Sequence, residues 1–211
     1  MTKTILALVA GLALSGCSMV TSDKPLFDAA DARGAPVLRP GVWAMPGEAN
    51  CTFDPKAPSA AWPKCANPTV VGATTLSNGG APSEEPQTLA YLLAGGDPPV
   101  LQLAAPLGDK EGPAILYAGL RPTAFDDKKQ VTALKVWLAL CSKPVTSGGD
   151  GVAKPTNLLP GLTLRPGGGQ ECVAKAKGPV RNAVKQSEIW LAGGGKNDFS
   201  LDARWVRDGE K

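Results

Sequence analysis

The chain has 211 residues, 22 lysines and arginines against 19 aspartates and glutamates, 25 glycines, 20 prolines and no histidine. So even a charge excludes nucleic-acid binding by phosphate neutralisation, which needs a basic face. The lack of histidine excludes Ser-His-Asp and Cys-His catalysis in their usual forms and any His-ligated zinc, while the glycine and proline content argues for many turns between short elements and against a helical bundle.

Residues 5–14 form an apolar run of about ten residues behind Lys3, half the roughly 20 that a bilayer-spanning helix needs. That length suits the apolar core of a secretory signal. The run closes on Leu14-Ser15-Gly16-Cys17. These four residues resemble the lipobox of bacterial lipoproteins. The resemblance covers residues 1–18, and the rest of the chain is similar to proteobacterial lipoproteins only in general style. It implies removal of residues 1–16, a diacylglycerol on the Cys17 sulfur and further acylation, palmitate included. One acyl chain holds a protein only marginally, at about 0.8 kcal/mol per buried CH₂, so two or three chains make a lasting anchor. Ser18, rather than Asp, follows the cysteine, which in this family implies the outer membrane, facing the periplasm.

Residues 17–36 read as the lipidated cysteine and a flexible tether, with Leu26 and Phe27 able to dock on the domain and order part of it, and residues 37–207 as a single domain with a short tail at 208–211. Residues 40–44 read as a turn into a short strand. Pro46, Pro55, Pro58, Pro63 and Pro68 then exclude regular structure over residues 46–68. Residues 77–86 are a loop by composition. Residues 88–93 and 100–104 flank Gly95-Gly96-Asp97-Pro98-Pro99 and predict a hairpin. Strands are expected at 114–120 and at 131–141, where Leu134, Val136, Leu138 and Leu140 recur at period two, with a helix over 127–140 as the competing reading because Ala and Leu are common there. Trp137 and Ala139 fall on the other face, so both sides are expected to be covered. Residues 142–169 predict a long glycine-rich loop with a brief strand at 162–164. A strand carrying Cys172 follows at 171–176. Pro179 suits a first helical turn, and Val180, Ala183, Val184 and Ser187 share one helical face, so a helix is predicted over 179–189. Phe199, Leu201, Ala203 and Trp205 alternate with polar residues and predict a half-buried strand. The tripeptide Leu-Arg-Pro occurs at 38–40, 120–122 and 164–166 without similar flanks or a constant period, and reads as strand ends meeting proline turns.

Four cysteines remain behind Cys17, and in an exported protein they read as two disulfides. Of the three possible connectivities, nearness in sequence favours Cys51–Cys65 and Cys141–Cys172. There is no C-x-x-C, so no zinc site and no cofactor is expected. No G-x-S-x-G or S-x-x-K motif is present, and Gly193-Gly194-Gly195-Lys196 lacks the pattern of a phosphate cradle. The acidic neighbours Glu84-Glu85 and Asp126-Asp127 read as solvated turns. Trp62 lies in the proline-rich loop and is expected to be exposed there, as an anchor for a partner.

The expected fold is therefore α+β, mainly antiparallel sheet with one or two short helices, loop-rich and with two disulfides. The expected role is a lipid-anchored envelope module that binds a protein or glycan partner or is structural, and that does no catalysis. The alternative is a carboxylate-based hydrolase of envelope glycan, which would need two acids converging across a cleft.

Overall fold

The computed structural model describes residues 18–47, 50–78, 87–106, 113–144, 157–166, 171–191 and 200–209. In chain order the strands are β1 (Val20–Ser22), β2 (Gly41–Ala44), β3 (Pro68–Val71), β4 (Thr75–Asn78), β5 (Thr88–Ala94), β6 (Val100–Pro106), β7 (Pro113–Phe125), β8 (Val131–Leu138), β9 (Leu162–Leu164), β10 (Cys172–Ala174) and β11 (Ser200–Arg207). Among the described residues one α-helix, α1 (Lys177–Leu191), precedes β11. From β2 to β8 each strand pairs antiparallel with the next. Strand β11 pairs with β8 on one side and β2 on the other. This closes an eight-stranded up-and-down barrel and leaves it no free edge.

The mainly antiparallel expectation holds, and closure makes it more specific. The period-two residues of β8 and β11, Leu134, Val136, Leu138, Leu201 and Ala203, all turn into the barrel. Strand β7 runs five residues beyond the predicted end at Leu120. It accommodates Pro122 because the pairing with β8 shifts register between Pro122 and Ala124, where no ladder donor is needed.

The described residues form three apolar clusters, one inside the barrel and two outside it. Helix α1 covers the outer face of β7 and β8, burying Val180, Ala183 and Val184 with Ile115, Tyr117 and Trp137. Trp137 Nε1 donates to the Val184 carbonyl at 3.0 Å. Gly119, on β7, is where the indole lies flat on the sheet, and a Cβ built there would overlap the ring. Ser187 Oγ accepts from the Leu140 amide at 2.8 Å and donates to the Ala183 carbonyl at 2.8 Å. The second outer cluster lies under residues 50–67, which include two 3-10 turns, Ser59–Ala61 and Lys64–Ala66, against Val42 and Ala44. Disulfides join Cys51 to Cys65 and Cys141 to Cys172.

The tether expected at 17–36 is corrected, and with it the domain start at 37. The Ala139 amide still donates to the Tyr117 carbonyl at 3.0 Å, and beyond that point β1 takes the place beside β7. Thr21 pairs with Leu116, Ser22 with Ile115, and Met19 bridges Leu140. Val20 is 0% exposed and Phe27 2%. The polar look of this stretch is misleading because its hydroxyls have partners. Thr21 Oγ1 donates to the Cys172 carbonyl, and Ser22 Oγ shares a 2.6 Å hydrogen bond with the Tyr117 hydroxyl. Gln102 locks the next turn, its Oε1 accepting from the Leu26 and Phe27 amides.

The two barrel ends differ. At one, residues 72–74, 95–99 and 126–130 make short turns, and Leu38 bridges Val131. At the other end lie the connections 45–67, 79–87, 107–112 and 139–199, the first and last of them much the longest. No helix among the described residues is long and apolar enough to cross a membrane.

Candidate functional site

Among the described residues the barrel interior forms an enclosed apolar recess. It holds a cavity of about 130 Å³ whose walls are almost wholly aliphatic. Leu101, Ala118, Leu120 and Leu134 form its depth and are all buried. The stagger of the registers brings Met45, Thr69, Leu103, Leu116, Leu138 and Leu201 to the end with the long connections. Met45, Leu103, Leu138 and Leu201 are only half-buried there, so this end is the mouth.

Two polar side chains face this interior from β2 and β3. Trp43 is satisfied, since its Nε1 donates to the Arg39 carbonyl at 2.9 Å. Thr69 is 2% exposed, and its Oγ1 has no hydrogen-bond partner. The reason is local. Thr69 alternates with Val70 on β3, so its side chain must point inward, and its two cross-strand partners, Trp43 and Asn78, are already engaged with the Arg39 carbonyl and the Gln87 amide. Nearby, Tyr91 donates its hydroxyl to the Gly72 carbonyl at 3.1 Å, and burial pushes its phenol up.

A wider cleft of about 560 Å³ lies outside the barrel, between Pro46, Gly47 and Cys51 and the outer faces of β8 and β11. Its charged groups, Asp202 and Arg204, are exposed, and water weakens what they contribute. It offers no buried, unpartnered group comparable with Thr69.

Trp62 is not the exposed anchor expected of it. It is 7% exposed and donates from Nε1 to the Ala57 carbonyl at 3.1 Å. Phe53 lies against it at 4.3 Å between ring centroids, and the Arg207 guanidinium stands 5.5 Å over it. The loop folds back because β2 and β3 present an apolar outer face that needs a cover. Asp126 caps its own turn, accepting from the Lys128 and Gln130 amides at 2.9 Å. Asp97 and Glu188 converge, but on the single guanidinium of Arg121, at 2.6 and 2.9 Å, rather than across a cleft. Those two acids hold the arginine's pKa above its usual range. Among the described residues no group of three or more Cys, Asp or Glu is placed to hold a metal ion. Cys17, Glu84-Glu85 and most of the glycine-rich loop 142–169 lie outside the described residues.

Thr69 was not singled out from sequence. A threonine in Pro-Thr-Val-Val reads as an ordinary strand residue, and only the closed barrel reveals which way it points. No family model matches this chain, and neither a curated protein nor a solved structure was found that is similar to it.

Proposed function

We propose that this chain is a lipid-anchored envelope protein, held at the outer membrane through Cys17, whose barrel is a non-enzymatic binding module. Its interior would take a small apolar ligand carrying one hydrogen-bonding atom. The observation that carries this reading is the unpartnered Thr69 hydroxyl in an aliphatic cavity of about 130 Å³. For scale, an engineered apolar cavity of about 150 Å³ stays dry and binds benzene. A buried water needs two to four polar partners, and one hydroxyl does not supply them. Leaving a buried donor unmade costs about 1–3 kcal/mol, which a ligand oxygen would recover.

Trp43 lies against the cavity and reports on its filling. Titration of Trp43 fluorescence with phenol and with benzene tests the proposal. Saturable binding of both is expected. Thr69→Val keeps the shape and removes the hydroxyl, so it should weaken phenol by about tenfold, the equivalent of roughly 1.4 kcal/mol, and leave benzene nearly unchanged. If the folded wild-type protein binds neither probe saturably, the reading fails.

A further inference from the structure

We infer that Ala118 and Ala203 set the size of the molecule that the barrel interior takes, and that this molecule is uncharged. The inference rests on the proposed binding role and adds to it the ligand's chemical class and the residues that select it.

The first argument is where the room comes from. Among the side chains that line the cavity, Ala118 stands between two leucines on β7, Val136 between two leucines on β8, and Ala203 follows Leu201 on β11. The registers align these small residues. Ala118 pairs with Leu138 and Ala203 with Leu134, so Val136 is the diagonal neighbour of both. Ala118, Val136 and Ala203 therefore form one shallow notch across three adjacent strands. Each alanine is about three carbons smaller than the leucine beside it, so the two together leave out about six, the carbon content of one benzene ring.

The second argument is what faces the notch. In the closed ring of eight strands, β3 lies four strands from β7 in either direction, directly across the barrel. Thr69 and Ala118 line the same cavity from these opposite walls. A ring seated in the notch can therefore place one polar atom on the unpartnered Thr69 hydroxyl. The third argument is charge. The cavity walls carry no charged side chain. Lys135, Asp202 and Arg204 alternate with the wall residues of β8 and β11 and so lie on the outer face. One hydroxyl can answer a neutral polar atom, but it cannot replace the water around a carboxylate or an ammonium, and burying an unpaired charge is strongly unfavourable.

The test is calorimetric titration of the full chain at pH 7, with urea unfolding run beside it. The wild-type protein is expected to bind benzyl alcohol at least a hundredfold more tightly than benzoate, which has the same ring and a charge. Ala118→Leu and Ala203→Leu should each weaken benzene at least tenfold and raise the urea midpoint, since a filled void no longer destabilises the fold. Val136→Ala cannot overpack the interior. It should raise the affinity for ethylbenzene relative to benzene about tenfold, as expected for two more carbons at roughly fourfold each. If the leucines prevent folding, that ratio decides alone. Benzene binding unchanged in folded leucine variants, an unchanged ethylbenzene ratio in Val136→Ala, or benzoate bound as tightly as benzyl alcohol overturns the inference and leaves the binding proposal standing. A wild-type chain that binds neither benzene nor benzyl alcohol saturably overturns both.

Discussion

Single atoms decide several features of this barrel. At Gly119 there is no room for a Cβ because the Trp137 ring occupies it, and that ring is fixed by its bond to Val184. Gly119→Ala should cost about 1–3 kcal/mol in denaturant unfolding, the usual penalty of overpacking. In the Trp137→Phe background the same change should cost clearly less, and equal costs would deny the contact. Tyr117 is 1% exposed, and burial raises its phenol above the ordinary value of 10, against the opposing pull of its bond to Ser22. The unfolded chain therefore ionises first. Stability carried by the neutral phenol is full below about pH 10 and is lost as pH rises through the folded value. Tyr117→Phe should flatten part of the alkaline fall in stability, and an identical slope would contradict this. Thr69 shows the limit of reading single residues from sequence. Its residue type is unremarkable, and its meaning depends on strands far away along the chain.

Among the elements, those with local signals were legible. Helix α1 covers the predicted 179–189 with two residues more at each end, as the spacing of Val180, Ala183, Val184 and Ser187 required. The β5–β6 hairpin and the alternation in β8 and β11 appear where period and turn residues put them. Both disulfides join cysteines that are neighbours in the sequence. What was not legible is non-local. Barrel closure needs β11 to find both β8 and β2, and no local pattern announces that pairing. Strand β1 was hidden for a related reason. Its three residues are Val-Thr-Ser, whose hydroxyls look solvated until Cys172 and Tyr117 supply their partners. The Val20 amide donates to the Ala139 carbonyl at 2.8 Å. Hydrogen exchange at Val20 should therefore be slowed as strongly as at the barrel amides, whereas a free tether would exchange at the unprotected rate.

At the scale of the molecule, a closed barrel surrounds an apolar interior that holds the unpartnered Thr69 hydroxyl, and two covers lie over its outer faces. Helix α1 and the cysteine loop bury the outer faces of the strands, so the two large tryptophans beneath them, Trp137 and Trp62, are structural. That moves the candidate site from the outer surface, where Trp62 had suggested it, to the inside. The fold also places the proposed lipid anchor next to residues that are already packed, since Ser18, Val20, Thr21 and Ser22 are buried. The central claim is that the interior, and not the outer cleft, takes the ligand. Nuclear Overhauser contacts from the ring protons of bound benzene to assigned methyl groups test it most directly. The account predicts contacts to the methyls of Leu101, Leu120 and Leu134. Contacts confined to Ala133 and the cleft beside Cys51, or no contacts at saturating benzene, would contradict it.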